Sequence, residues 1–403
     1  MEDGLYIGID THKEFHAFCA LDERGAVALE GTCAASEAAY EGLCRSLEEA
    51  GRPARVAIEG SSSYGRGLSD HMRRRGYDVR EAVRPGRRAY SPDGKTDAVD
   101  ALAAARLAFW DQCAGEPEDN GGPSEDLAYL VAARESAVKE WRSAGNALQG
   151  LVAKAPSDVR EPFAGLKGEA LARAVAESGD MGRPDLLAAL RSLARRWTAA
   201  FEEAEALAGR MEAIVRAHYA PLLGAKGVGV VTAASLAAIA GGNPGRFKSE
   251  AAFDKSMGAC PIPASSGKNS RMRLNRGGNR AGNRALYQIV IARLSRDEAT
   301  RAYMEKKRAE GKGKAEAIRC LKRYVAREVY RLLLECAEHR ELPDAGELRE
   351  RRRKLKVTQA AAADALGVSA ARVSTLERGV TVDSALAERY SGLLDELERE
   401  RPL

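Results

Sequence analysis

Two short apolar runs, LYIGID at residues 5–10 and ARVAIEG at 54–60, each end in a carboxylate, Asp10 and Glu59. Both have the length and apolar content of buried strands. If they are neighbours in one sheet, the two carboxylates emerge at the same edge. HAFCALDERGAVALEGTCA reads as two β-rich segments about the turn signal DERG, and SEAAYEGLCRSLEEAG as a helix closed by glycine. SYGRGLSDHMRRRG follows as a second helix, YDVREAV as a further strand and TDAVDALAAARLA as a third helix. The order β-β-β-α-β-α-β-α over residues 1–113 predicts an α/β domain with a mixed sheet.

The last of these helices carries Asp97 and Asp100, three positions apart and therefore on one helical face. Like charges stacked there repel. Packed beside the strand ends, they join Asp10 and Glu59 in a cluster that costs several kcal/mol unless cations neutralise it. Mg²⁺ and Mn²⁺ favour carboxylate oxygens. Two such ions side by side stabilise the attacking and leaving oxygens of a phosphodiester exchange. Any one of these acids alone reads as solvated surface. Two strand-terminal acids plus a helical D-x-x-D make the arrangement of a ribonuclease-H-like nuclease. Lys95, just ahead of the pair, either reaches a phosphate or is a solvated lysine.

With 403 residues the chain has room for roughly two to four domains. Residues 114–124, AGEPEDNGGPS, read as a linker or exposed loop. From 125 to 220 apolar positions recur at threes and fours, which predicts long amphipathic helices broken at GDMGRPD, residues 179–185. They form either an antiparallel pair or a partner-forming stalk. Residues 114–220 are read as linker and coiled-coil-like oligomerisation region, 221–340 as a mostly helical domain and 343–403 as a separate tail. The net charge of +5 on a chain with 30% charged residues is mild, so the distribution of charge matters more than the total. There is no run of about eighteen apolar residues, and the first residues lack the basic-then-apolar order of a leader; neither a membrane span nor a signal peptide is expected. Cys19, Cys33, Cys44, Cys113, Cys260, Cys320 and Cys336 are widely spaced, with no CxxC. They are expected to be reduced thiols of a cytoplasmic protein without zinc or disulfides. Of the histidines only His12 and His16 are close, and no cysteine pair accompanies them.

PIPASSGKNS places Ser265 and Ser266 before Gly267. Serine beside glycine is ordinarily a turn, but the surroundings are basic: Lys268 to Glu328 contains eighteen Lys or Arg against six Asp or Glu. Lys268, Arg271, Arg273, Arg276, Arg280 and Arg284 form a run without an acid, a phosphate-binding footprint. A serine hydroxyl among arginines has the chemistry to attack a phosphodiester whose oxygens the guanidinium groups hold. Upstream, Gly227 and Gly229 precede a helix, either presenting backbone N–H groups to a phosphate or making a helix-to-helix turn.

These motifs resemble transposases of the IS110 insertion-sequence family. YIGIDTHKEFHAFCALDERG, VAIEGSSSYG and GKTDAVDALAAARLA look like the family's amino-terminal domain, itself similar to the Holliday-junction resolvase RuvC. The family's four acids match Asp10, Glu59, Asp97 and Asp100. Residues 227–290 and EAIRCLKRYVAREVYRLL resemble its carboxy-terminal transposase domain, so the resemblance covers roughly residues 5–335. It implies a serine–DNA covalent intermediate acting with the metal-bound acids, with Ser266, next to the glycine, preferred over Ser265. It further implies a helix-hairpin-helix-like element at Gly227–Gly229 and a structured non-coding bridge RNA whose loops pair with donor and target DNA. Dimers that pair into a tetramer are also implied.

The tail lies outside that resemblance. In LRERRRKLKVTQAAAADALGVSAARVSTLERG, Thr358 caps a short helix, Gly367 ends it and Ser369 caps the next. Helix, short turn, helix is the helix-turn-helix plan. It looks like phage-repressor-type DNA-binding domains, with Ala370, Ala371, Arg372, Ser374 and Thr375 toward DNA; a small bundle for protein contacts is the alternative. The fold expected is thus α/β plus all-α, and the function a DNA transposase/recombinase. A site-specific DNA invertase, a junction nuclease using the acids alone and a repurposed non-catalytic repressor are the competing readings. The presence of all four acids and both serines argues against the last.

Overall fold

The structure, a computed structural model, describes residues 4–82, 96–119, 121–263, 272–273, 275, 277–338, 345–378 and 384–400. The chain divides into two compact units, one of residues 1–122, 241–248 and 340–403, the other of 123–240 and 249–339.

The first unit begins with β1 (Gly4–Thr11), β2 (Phe15–Leu21) and β3 (Val27–Ala34), followed by α1 (Glu37–Ala50), β4 (Arg52–Ile58), α2 (Arg66–Arg74), β5 (Val79–Glu81) and α3 (Asp97–Phe109). This is the expected element order. The five strands form one sheet in the order β3-β2-β1-β4-β5. β1–β2 and β2–β3 pair antiparallel; β1–β4 and β4–β5 pair parallel. In α1, Ser36 caps the first turn and Tyr40, Leu43, Cys44 and Leu47 form the buried stripe. That stripe packs with Leu68 and Met72 of α2 against Leu5, Ile7 and Ile9 of β1, each fully buried aliphatic side chain contributing about 1.5–3 kcal/mol.

The opposite sheet face is covered by α3, whose Ala101 and Ala105 meet Ala17, Cys19 and Leu21 while Ala104 and Ala108 meet Ala57 and Ala82. The alanine run lets the helix come very close. A Cβ built on Gly8 would lie 1.9 Å from the Ala105 nitrogen and 2.2 Å from the Ala101 oxygen, so the backbone of α3 rests directly on β1.

One expectation is corrected. The stretch read as a linker is, over residues 114–119, tied to the sheet: Ala114 N–H donates to the Glu81 carbonyl (3.0 Å) and Glu81 N–H to the Gly115 carbonyl (2.9 Å). Gly115 and Pro117 are buried. Its Gly, Pro and acid content signals irregular backbone: Ala114 and Glu116 are exposed, while the backbone groups of residues 114 and 115 find partners in the sheet.

The C-terminal part of this unit holds α14, numbered along the chain (Ala345–Lys354), then α15 (Gln359–Leu366), α16 (Ala370–Glu377) and α17 (Ser384–Glu400). Its core is Leu348, Leu355, Leu366, Val373, Leu376, Tyr390 and Leu394. Thr358 and Ser369 cap α15 and α16 through their hydroxyls, and Gly367 takes the left-handed conformation (φ 66°) that ends α15, as the sequence implied.

In the second unit, α4 (Pro123–Lys154) and α7 (Pro184–His218) flank the short α5 (Ser157–Arg160) and α6 (Gly168–Glu177). Trp141 of α4 makes edge contacts with Trp197 and Phe201 of α7, and Arg134 reaches Glu205, so the two long helices run antiparallel within the chain. α8 (Ala220–Gly224), α9 (Val230–Ala240), α10 (Glu250–Ser256), α11 (Arg280–Arg296), α12 (Glu298–Ala309) and α13 (Lys314–Glu338) complete it. Between α10 and α11, β6 (Ile262–Pro263) and β7 (Met272–Arg273) pair antiparallel. All seven cysteines are free. Among the described residues no helix is long and apolar enough to cross a membrane.

Candidate active site

Side chains alternate between the two faces of a strand. Gly8 of β1 and Ala57 of β4 face α3, so Asp10 and Glu59, two positions on, fall on the same face. Pairing in register, Ile9 opposite Ile58, leaves the two acids side by side at the strand ends. Glu59 N–H donates to the Ile9 carbonyl (2.9 Å). The Thr11 hydroxyl donates to the Glu59 carbonyl (2.7 Å). Thr96 caps α3 by accepting from Val99 N–H (3.3 Å), which puts Asp97 and Asp100 in the first helical turn. Carboxylates are favoured there by the helix dipole, an offset to their mutual repulsion.

Asp10 is buried, 8% exposed. Burial raises its carboxyl above the ordinary value, His12 lowers it, and Glu59, Asp100 and Asp97 each raise it. Glu59, Asp97 and Asp100 therefore all lie within electrostatic reach of Asp10.

His12 is the residue that sequence reasoning missed. Its Nε2 lies 3.2 Å from Oδ2 of Asp10 and 3.2 Å from Oδ1 of Asp97, and it is a buried ring nitrogen without a hydrogen bond. Asp10, His12 and Asp97 each offer a ligand atom, all within 4.8 Å of one another. An orphaned ring nitrogen among carboxylate oxygens is a donor set that fits a divalent cation. The available signal was the D-x-H spacing: residues two apart at a strand end share a face. His16, which the sequence paired with His12, is a core residue 3.1 Å from the Tyr40 hydroxyl.

Lys95, Ser265, Ser266, Lys268, Arg271 and Arg276 fall outside the described residues; Ser265, Ser266, Lys268 and Arg271 lie between β6 and β7 in the sequence. Arg273 belongs to β7. Arg280 and Arg284 are exposed on α11, and Arg284 pairs with Glu135 of α4, an acid the local run lacks. The chain entering β6 is anchored from below. Buried Asp254 accepts from Arg323 Nε (3.2 Å), Lys322 Nζ donates to Asn283 Oδ1 (2.7 Å), and Asn283 Nδ2 donates to the Met257 carbonyl (3.0 Å). Gly227 has φ +77°, and a Cβ there would lie 3.0 Å from the Ile289 carbonyl, so packing on α11 requires glycine. Gly229 is exposed just ahead of α9. On α16, Arg372 is exposed and Ser374 and Thr375 are half-buried. Ser374 also lines a groove with Arg349, Arg353 and Arg378.

A mixed sheet in this order, with acids at the ends of β1 and β4 and at the start of α3, defines a ribonuclease-H-like domain of DEDD type. Residues 7–155 match the family model of the IS110 DEDD domain, described as "Transposase". Residues 219–305 match "Transposase IS116/IS110/IS902 family", and residues 345–390 match "Helix-turn-helix domain". The chain thus carries the two domains of IS110-family transposases, with a helix-turn-helix domain appended. It is similar to the "Insertion element IS110 uncharacterized 43.6 kDa protein" of Streptomyces coelicolor, 35% identical over 130 residues. That match spans 32% of this chain and 32% of the relative's length.

Proposed function

We propose that the protein is a DNA transposase that excises and inserts an insertion sequence by phosphodiester strand exchange. What supports this reading is the cluster of Asp10, His12 and Asp97, with Glu59 and Asp100 within electrostatic reach of Asp10, in a chain that holds both domains of the family. A divalent cation, Mg²⁺ or Mn²⁺, bound by these residues would supply Lewis-acid activation of a phosphodiester oxygen. Ser266, or Ser265 beside it, is the nucleophile on the resemblance to the family. Its Oγ attacks the scissile phosphorus, its proton passes to a base and a DNA hydroxyl departs. Attack by a DNA-end hydroxyl on the serine–DNA bond then completes the exchange. Lys268, Arg271, Arg273, Arg276, Arg280 and Arg284 hold phosphates, and α16 carries Arg372, Ser374 and Thr375 to a DNA groove. On the same resemblance a bridge RNA selects donor and target, the working assembly is a dimer that pairs into a tetramer, and the setting is cytoplasmic.

The test is amplification of excised circular junctions in cells that carry the gene with its native flanks. Wild type, Ser265→Ala, Ser266→Ala and Asp97→Ala are compared. Junctions are expected in wild type, and are expected to vanish with one serine variant and with Asp97→Ala. Junctions that survive both serine changes would leave the acids as sole catalyst, the junction-nuclease reading. Absence in wild type would favour the repressor reading.

A further inference from the structure

The turn that carries Glu59 is gripped from behind by a second glutamate. Glu81, the last residue of β5, accepts from Gly60 N–H through Oε1 (3.2 Å) and from Ser61 N–H through Oε2 (3.2 Å). The Ser61 hydroxyl also donates to Oε2. With Ile9 holding the Glu59 N–H and Thr11 its carbonyl, every backbone group around Glu59 is held in place. Gly60 sits at φ +71°, a conformation that side chains rarely adopt.

Burial raises the Glu81 carboxyl above its ordinary value, and the Ser61 and Gly60 hydrogen bonds work against that. The segment bonded to the Glu81 backbone is in turn tied far along the chain: Glu118 makes an ion pair with Arg246 (Oε2–Nη2 3.2 Å). Arg246 lies in GGNPGRF, residues 241–247, a motif to which the serine and metal chemistry gives no task. In the structure it is a strap along residues 117–119. Gly242 N–H donates to the Asp119 carbonyl (2.8 Å), the Asn243 side chain accepts from Asp119 N–H (2.8 Å), and its amide donates to the Pro117 carbonyl (3.0 Å). Gly241 takes the left-handed conformation (φ +74°), and both glycines let the strap approach residues 118 and 119 closely. A Cβ at Gly241 would lie 2.6 Å from Glu118 Cγ, and one at Gly242 would lie 2.7 Å from Asp119 Oδ2.

We infer that Glu81 is a positioning residue for Glu59, and that the GGNPGRF strap braces this clamp by holding residues 117–119, next to the Ala114 and Gly115 bonds to the Glu81 backbone. Docking of the strap then fixes the reach of Glu59 into the metal site. The inference rests on the metal-site reading above, but the clamp has a signature of its own. Glu81→Gln places an amide against the Gly60 and Ser61 N–H groups. Arg246→Met removes the ion pair between the strap and Glu118. Arg246→Lys restores charge without the planar fork.

The experiment uses the full chain and two readouts. The first is Mn²⁺ affinity by electron paramagnetic resonance; the second is amide hydrogen exchange at residues 59–65 in metal-free protein. Glu81→Gln and Arg246→Met are expected to weaken Mn²⁺ binding about tenfold, as loss of a ligand's support does, and to raise exchange at Gly60 and Ser61 but not across the sheet. Arg246→Lys is expected to recover most of both. Folded Glu81→Gln and Arg246→Met proteins with wild-type affinity and wild-type protection would overturn the inference. Should Glu81→Gln not accumulate, Arg246→Met carries both readouts. If wild type binds no Mn²⁺, or Asp10→Asn binds it normally, the metal reading fails. The exchange pattern then still decides whether the clamp exists.

Discussion

The Thr11 hydroxyl donates to the Glu59 carbonyl at 2.7 Å, joining the last residue of β1 to the residue after β4. The bond links the two strand ends that carry Asp10 and Glu59. Thr11→Val keeps the shape and removes the donor. It is expected to cost about 1 kcal/mol of stability and to weaken Mn²⁺ binding a few-fold. Thermal melts with and without Mn²⁺ measure both effects, and unchanged binding would show that the strand ends need no such tie.

Asp10 stands buried among like charges, and its carboxyl is raised by burial and by Glu59, Asp100 and Asp97. Asp10→Asn is therefore expected to raise the melting temperature in EDTA and, on the proposed metal site, to abolish both recombination and any stabilisation by Mn²⁺. A variant that melts lower in EDTA would mean that the carboxylate is an asset to the metal-free fold.

Gly8 is where the backbone of α3 touches β1. Gly8→Ala puts a methyl 1.9 Å from the Ala105 nitrogen, against backbone that cannot swing aside. The expected outcome is a loss of ~3 kcal/mol or more, with Mn²⁺ affinity falling as α3 carries Asp97 and Asp100 away from Asp10. Denaturant melts and Mn²⁺ titration check the two halves of this prediction.

In the C-terminal domain, Arg352 forks onto Glu377 (2.6 and 2.9 Å), which also accepts from Tyr390 (2.6 Å) and Gln359 (2.8 Å). The Glu377 side chain is 0% exposed. Burial pushes its carboxyl up, but these donors outweigh that and lower it from 4.5 to about 2. A depressed carboxyl stabilises the fold above its unfolded value, and that stability is lost as pH falls through the folded one. About 3 kcal/mol should disappear between pH ~4.5 and ~2. Hydrogen exchange across α14–α17 as a function of pH reads it, and Glu377→Gln should flatten the profile.

Removing residues 343–403 is expected to weaken DNA binding or regulation while leaving covalent serine–DNA adducts detectable. A soluble, folded truncation that forms no adduct would place the tail in the chemistry itself.

The succession of elements along the first domain and the D-x-x-D were legible because each rests on local pattern: an apolar run ending in an acid, and a helix cap at Thr96. The caps at Thr358 and Ser369 were legible for the same reason. His12 was not, because its role comes from the Asp97 carboxylate, 85 positions away in sequence and brought beside it by α3. Glu81 was not, because a three-residue strand has too little periodicity to show which way its last side chain points. Residues 114–119 read as exposed because their hydrogen-bond partners, Glu81 and the strap, cannot be recognised from composition. Arg284 read as an unopposed cation, its partner Glu135 being on another helix.

The strap has a consequence for biosynthesis. The unit that holds the acids includes residues 241–248, which leave the ribosome about 120 residues after Gly122. A nascent chain that stops short of the strap already carries Asp10, Glu59, Asp97 and Asp100, yet lacks Arg246 and the ties to Asp119. On the inference above, a product terminated before the strap would carry the full set of acids with Glu59 unclamped.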